Sequence, residues 1–307
     1  MPLRPLHLVL NFDDNYWAPA YATMRSVCLY TSRCDDLHFH LLHGRLTDGH
    51  RDILDWITAE FGAPISYYDL TDDALLATMP PRPNHRHRLP NIVHGRILVA
   101  ELLPLHVERA LYIDCDMLVR VPIERLIESD MGGKPLAAVP DYLGAQIIAS
   151  TDMIDRRGLF EVWMRYFNAG LLLIDVAAWR TMRLAERLAE SVADGTLARL
   201  NFDQDFLNIA FRDNWLELDR NWNFLDPRPL HETLNPNILH YTGRKKPWGI
   251  RAPVAFARLY RRVMTRRVYF RYLHERAPSW QRPLIRYFAK GALDAQGPVR
   301  TLKAPPK

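Results

Sequence analysis

The stretch Leu111–Val119, LYIDCDMLV, places two aspartates one residue apart, Asp114 and Asp116, at the end of an apolar run. Ala110 to Asp116, ALYIDCD, read as a buried strand, and a strand that ends in carboxylates delivers them to whatever lies beyond its carboxyl end. In extended backbone, residues two apart point to one side. Two carboxylates on one side repel unless something positive lies between them. A hard divalent cation meets that need, and a cation with open coordination positions can hold a diphosphate. The apolar residues on both sides argue against a merely solvated turn.

Outward from this stretch, strands and helices alternate. LHLVLNF (6–12) reads as a strand, YWAPAYATMRSVCLY (16–30) as a helix, and LHFHLL (37–42) as a strand. DGHRDILDWITAEFG follows as a helix ending at Gly62, and ISYYDL as a third strand. Asn91 is placed to cap a helix IVHGRILVAELLP that Pro104 closes. Several strands are apolar throughout, as in a mostly parallel sheet covered on both faces, so the expected class is α/β. Ligands of such sheets bind beyond the carboxyl ends of the strands, where both LVLNFDDN and LYIDCD finish in acids.

A D-x-D triplet arises by chance about once in a chain this long, and a second one, Asp203-Gln204-Asp205, precedes the helix-like FLNIAFRDNW. Acids at a helix start are electrostatically ordinary, so that triplet reads equally as a site or as an acidic first turn. Neither a G-x-G-x-x-G nor a G-x-x-x-x-G-K-[ST] loop occurs, so metal and side chains must hold any nucleotide phosphates. Arg96 and the cluster HYTGRKKPW (240–248) are the available cations. His85 and His87 in NHRHR read as part of a basic loop, Cys115 as a packing residue, and Trp179 with the leucines of GLLLIDVAAW as core.

In 307 residues, 48% hydrophobic, there is ample material for one large domain or two modest ones. No stretch stays apolar and uncharged for about 18 residues, and the run before Asp13 and Asp14 is short, so neither a spanning helix nor an export signal is expected. Three irregularly spaced cysteines imply a reducing compartment, consistent with the cytoplasm. The net charge of +5 is unevenly spread, because residues 251–307 hold fourteen Lys/Arg against two Asp/Glu. Basicity therefore belongs to the tail.

The ordered set FDDNYWAPAYATMRSV, HGRILVAELLP, ALYIDCDMLV, AAVPD, YFNAGLLLIDVAAWR, NFDQDFLNIAF, WNF and HYTGRKKPW resembles family 8 of the retaining glycosyltransferases. Within it, the bacterial lipopolysaccharide α-galactosyltransferases and glucosyltransferases are the most similar group. The resemblance implies a GT-A nucleotide-sugar fold over residues 1–250, a UDP-hexose donor, and Mn²⁺ with Mg²⁺ as the alternative. It implies Asp114, Asp116 and His240 as metal ligands; an imidazole among carboxylates independently favours a transition metal. Asn11, Asp13, Asn15 and Tyr16 match positions on the nucleotide side, and Cys115 lies within the donor-binding segment between the two acids. Arg96, Asp141, Asn168 and Gly170 match positions around the donor sugar. Asp203 and Gln204 match residues beside the anomeric carbon, and Gly243 and Lys246 match diphosphate contacts.

In that setting the developing charge on the leaving diphosphate calls for Mn²⁺, Lys246 and Arg96. Gln204 occupies the place of a nucleophile, but a carboxamide is a poor one, which favours attack from the face that UDP leaves; Asp205 as a covalent nucleophile is the minority reading. The tail interleaves cations with aromatic residues, a composition suited to the anionic inner face of a membrane rather than to nucleic acid. The leading expectation is hexose transfer to a hydroxyl of a cell-surface glycan such as lipopolysaccharide. The rivals are a metal-dependent UDP-sugar phosphohydrolase or nucleotidyltransferase and a non-catalytic sugar-nucleotide binder.

Overall fold

A computed structural model describes residues 5–80, 91–142, 159–160, 164–200, 202–250, 252–293 and 297. His85 and His87 lie outside that set. Ten strands are present among these residues: β1 (Leu6–Phe12), β2 (Leu37–His43), β3 (Ile65–Asp69), β4 (Arg109–Ile113), β5 (Met117–Val119), β6 (Leu136–Pro140), β7 (Phe167–Asp175), β8 (Leu216–Glu217), β9 (Phe224–Leu225) and β10 (Ile238–His240). Seven form one sheet in the order β3-β2-β1-β4-β7-β6-β8, and three form a smaller sheet, β5-β10-β9. β1 to β4 run parallel, whereas β7 is antiparallel to both β4 and β6.

Alternate side chains of the large sheet enter two separate cores. Leu8, Leu10, Leu111 and Leu173 face a cluster completed by the helix Trp17–Tyr30, with Trp17, Tyr21 and Met24 fully buried. Val9, Tyr112, Leu172 and Ile174 face the other cluster, where Trp179 and Phe211 close the far side. The sheet is thus sandwiched, which is why a central strand such as β7 runs apolar on both faces, Leu171 and Leu173 entering one core and Leu172 and Ile174 the other. Trp179 and the β7 leucines are core, in agreement with the sequence reading.

Three local expectations are revised. The helix anticipated from Asp48 to Gly62 is two, Asp48–Leu54 and Trp56–Phe61, separated at Asp55; Gly62 ends the second with φ +80°, a left-handed cap that glycine adopts freely. The segment after Asn91 is a 3₁₀ helix over Asn91–Leu98 with one α-helical turn, Val99–Leu102, at its end. Asn91 donates its side-chain amide to the Leu76 carbonyl (2.8 Å) and so ties this segment to the preceding turn. Gly95 packs against Asn11 so closely that a Cβ there would stand 2.8 Å from Oδ1, and Asn11 in turn donates to the Ile92 carbonyl at 2.6 Å. The tighter helix fits where the chain presses on β1. Finally, β4 stops at Ile113, and Asp114 to Asp116 form the turn into β5 rather than extended strand, because here the chain passes from one sheet to the other.

Part of the basic stretch is built into the first core. Tyr260, Val263, Met264, Val268 and Tyr272, from helices Ala257–Val263 and Arg266–Arg276, are buried beside the helix Trp17–Tyr30. Arg25, fully buried, holds Glu60 through Nε (2.9 Å) and Nη2 (2.6 Å) and donates Nη1 to the Val263 carbonyl (3.0 Å). Beyond residue 277, the helix Arg282–Ala289 and the turn before it expose Trp280, Leu284, Tyr287 and Phe288.

Candidate active site

The two sheets meet at the Asp114–Asp116 turn, and their register brings the three candidate ligand side chains together. β10 pairs antiparallel with β5, matching His240 to Met117, and the Tyr241 amide donates to the Asp116 carbonyl at 3.0 Å. His240 Nε2 consequently lies 3.2 Å from Asp116 Oδ1 and 3.6 Å from Asp114 Oδ2. One ligand atom from each of Asp114, Asp116 and His240 lies within 4.8 Å of the other two. The opposite ring nitrogen, Nδ1, is hydrogen-bonded to Asn223 Oδ1 at 3.0 Å, which turns Nε2 towards the acids. Two carboxylates and one imidazole form a donor set suited to Mn²⁺ or a similar divalent ion.

Gly170 explains why this convergence is possible. A Cβ at that position would lie 2.3 Å from His240 Cε1 and 2.7 Å from Asp114 Oδ2, so only glycine lets β7 pass behind these two side chains. The Asp114 amide donates to the Gly170 carbonyl at 2.8 Å, extending the β4–β7 pairing one residue beyond the strand.

Cations flank the acids. Lys246 Nζ reaches Asp116 Oδ2 and the Tyr241 carbonyl, each at 2.5 Å. Arg96, carried by the 3₁₀ helix, pairs with Asp203 Oδ2 (2.6 Å) and Asp114 Oδ1 (3.1 Å), donates to the Ala169 carbonyl (2.6 Å), and stacks over Tyr112 at 4.6 Å from the ring centroid. Burial alone would lower the Arg96 pKa, but Asp114 and Asp203 outweigh it and hold the guanidinium charged. Burial likewise opposes ionisation of Asp116, and Lys246 and His240 outweigh it, keeping the carboxyl well below the usual carboxylate range. Tyr112 donates to Asp114 Oδ1 at 2.8 Å.

A second set of polar side chains adjoins the first. Gln204, on the helix Phe202–Phe211, accepts at Oε1 from the Ala169 amide (3.0 Å) and from Asn168 Nδ2 (3.2 Å). Its Nε2 donates to Asp141 Oδ2 (3.1 Å) and Tyr166 Oη (3.2 Å). Asn168 also donates to Asp141 (3.2 Å) and accepts from Asn223 (2.8 Å) and from the Gly170 amide (3.0 Å), joining the Gln204 set to the His240 set. Asp205 is fully buried and takes the Tyr166 hydroxyl at 2.6 Å. The second triplet is therefore anchored by specific partners, not an ordinary acidic first turn. Asn208 staples this helix to Phe167 by exchanging bonds with its amide (2.8 Å) and carbonyl (2.9 Å).

Beyond the carboxyl end of β1, Asp13 caps the short turn Asp14–Tyr16, accepting from the Asn15 amide (3.0 Å) and side chain (3.1 Å). Asn15 is exposed, and Tyr16 lies edge-to-face with Trp248, 6.0 Å between centroids. Burial, and then the charge of Asp116, raise the Tyr16 phenol pKa. Gly243 has φ +71° in the loop between His240 and Lys246. Cys115 is buried in the first core, its thiol pushed up by burial, and its side chain is no ligand of the acidic cluster. Sequence reasoning assigned no role to Asn223, Tyr166, Tyr112 or Asn208. Asn223 lies in the quoted WNF segment, and the two tyrosines lie within quoted motifs, but no spacing rule marks them.

The chain resembles known proteins over most of its length. It is 26% identical over 263 residues to General stress protein A of Bacillus subtilis (80% of this chain, 87% of that protein). It is 24% identical over 255 residues to the lipopolysaccharide 1,2-glucosyltransferase of Escherichia coli K12 (79% and 72%). Several streptococcal glycosyltransferases also match, and the chain spans between 20% and 57% of their length. The crystal structure of the galactosyltransferase LgtC, in complex with donor and acceptor sugar analogues, superposes with a TM-score of 0.68 at 21% identity, covering 91% of this chain and 99% of that one. The architecture is thus the GT-A type implied by the motifs. Residues 7–251, which hold the Asp114–Asp116–His240 convergence and the Gln204 set, match the model of Glycosyl transferase family 8, and the chain belongs to that family.

Proposed function

We propose that this glycosyltransferase moves galactose or glucose from a UDP-sugar to a hydroxyl of a cell-surface glycan, retaining the anomeric configuration and depending on Mn²⁺. The observation that carries the reading is the convergence of Asp114, Asp116 and His240 with Lys246 beside them and Arg96 behind them. A cluster of that composition suits a diphosphate held through a divalent ion and a lysine. The relatives named for lipopolysaccharide glucosyl transfer and for galactosyl transfer support the hexose and the glycan class.

Asp114, Asp116 and His240 would hold the ion, which when bound supplies Lewis-acid stabilisation to the departing diphosphate. Lys246 adds a fixed positive charge on the same side, and Arg96 orients Asp114 and Asp203. Gln204 is held at both ends of its amide, Oε1 by the Ala169 amide and Asn168 and Nε2 by Asp141 and Tyr166, so the carboxamide is fixed in orientation beside the Asn168 and Asp141 side chains. Asp205 faces Tyr166 in full burial, which leaves it poorly suited to covalent attack. The account therefore uses same-face attack: the acceptor oxygen bonds to the anomeric carbon as the bond to the diphosphate breaks, and the hydroxyl proton passes to the leaving phosphate oxygen.

The exposed Trp280, Leu284, Tyr287 and Phe288, together with Arg282 and Arg286, suit attachment to an anionic bilayer surface. No helix among the described residues is long and apolar enough to cross a membrane.

UDP release is the discriminating assay. With UDP-galactose or UDP-glucose and Mn²⁺, release should rise strongly when galactose- or glucose-terminated lipooligosaccharide acceptors are added. Release of equal rate without acceptor would favour a phosphohydrolase and overturn transfer.

A further inference from the structure

Among the described residues a second group of three metal-ligating side chains lies far from the acidic one: His7 on β1 with His38 and His40 on β2. Register places His7 directly opposite His38, with His40 beside Val9, so all three lie on the Val9 face of the sheet. Six residue steps of about 3.3 Å run from His7 along β1 to Asp13 just beyond it, so the group lies roughly 20 Å from the carboxyl end of the same strand. His7 and His40 are buried, and His38 is half-buried.

We propose that His7, His38 and His40 form a second metal centre, selective for Zn²⁺ and similar nitrogen-seeking first-row ions, at the amino end of the sheet. One ring nitrogen of each lies within 4.8 Å of the other two, and His7 Nδ1 is 2.9 Å from His40 Nε2. Zn–N bonds of about 2.0 Å at tetrahedral angles set nitrogens roughly 3.3 Å apart, so the His7–His40 pair would open by a few tenths of an ångström and any wider pair would close, shifts within reach of side-chain rotation. The outer partners that fix ligating imidazoles are in place: Tyr68 Oη lies 2.9 Å from His40 Nδ1, and Ser66 Oγ lies 2.8 Å from His38 Nε2. Each leaves the other nitrogen of its ring for a metal.

His106, exposed on the loop before β4, has its ring centroid 6.3 Å from that of His7 and can supply a fourth ligand in place of water. An all-imidazole set prefers Zn²⁺, Cu²⁺, Ni²⁺ or Co²⁺, whereas two carboxylates and a histidine accept Mn²⁺. The two centres are thus chemically distinguishable.

The test uses the full chain stripped of metal and carrying Asp116→Asn, which removes a ligand from the acidic centre. Zn²⁺ titration by calorimetry should show one remaining equivalent, and Co²⁺ should develop visible ligand-field bands of a nitrogen-rich site. His38→Gln and His7→Asn, each added to Asp116→Asn, should weaken Zn²⁺ by about tenfold or more. Zn²⁺ should raise the melting temperature of the Asp116→Asn protein and fail to raise that of the histidine variants. His38 is half-buried, so its variant is the one expected to keep the native circular dichroism. An Asp116→Asn protein that binds no Zn²⁺, or whose Zn²⁺ affinity survives both histidine changes, overturns the proposal.

Discussion

Asn223 shows how single residues set this site. It is almost fully buried, orients His240 through Nδ1, and reaches Asn168, which in turn adjoins Asp141 and Gln204. Loss of an outer partner of a metal ligand typically costs 10- to 100-fold in metal affinity. Asn223→Ala should therefore raise the Mn²⁺ concentration needed for half-maximal activity by about that factor while the far-ultraviolet spectrum is unchanged; an unaltered Mn²⁺ dependence would remove Asn223 from the account. Asp114, Asp116, His240, Lys246 and Gln204 could all be picked out from the order and spacing of motifs. Asn223 could not, because its role exists only once β10 lies against the turn Arg220–Trp222. Gly170 was legible as a position but not as a reason: the approach of His240 within 2.3 Å of an imagined Cβ is a fact of packing between strands distant in sequence.

At the scale of elements, the strands of the large sheet were readable because their apolar runs follow directly from burial on two faces. Helix type was less so. The segment 91–102 has the composition of an α-helix, yet tertiary pressure from Asn11 against Gly95 accompanies a 3₁₀ form that delivers Arg96 between Asp114 and Asp203. A further link between elements is His50, which stacks on Trp17 and bridges Asp14 (2.7 Å) and Glu275 (3.1 Å), joining the turn Asp14–Tyr16 to the helix Arg266–Arg276. Burial tends to lower the His50 pKa, but bonds to Glu275 and Asp14 outweigh it and raise the value above the usual 6.5. A raised value means that the bridge stabilises the fold fully at pH below about 6.5 and loses that contribution as pH rises through the folded-state value. Thermal melts of the wild type and His50→Gln should thus differ most at pH 5 to 6 and converge at alkaline pH; a constant difference across that range would show that His50 acts by packing alone.

For the whole molecule, the basic C-terminal stretch divides into a part built into the first core and a part whose aromatic residues are exposed. Charge and aromatic content predicted a membrane-facing tail, and composition could not reveal that Tyr260, Val263, Met264, Val268 and Tyr272 belong to the first core. Each such side chain contributes about 1.5 to 3 kcal/mol on burial, so five together rival the total stability of a typical domain, about 5 to 15 kcal/mol. A chain ending at residue 250 should not fold, whereas one ending at 277 should fold and turn over a soluble acceptor while losing co-sedimentation with anionic vesicles. Vesicle binding that persists in the 277 truncation would place the membrane contact elsewhere. The central claim concerns the donor, and it is tested most directly by calorimetric titration of UDP-galactose, UDP-glucose and GDP-mannose into the protein with and without Mn²⁺. The account predicts that a UDP-hexose binds only when Mn²⁺ is present, that Asp116→Asn abolishes this dependence, and that GDP-mannose does not bind. Binding of a UDP-hexose with equal affinity in the absence of divalent metal, or retention of the Mn²⁺ effect in Asp116→Asn, would contradict it.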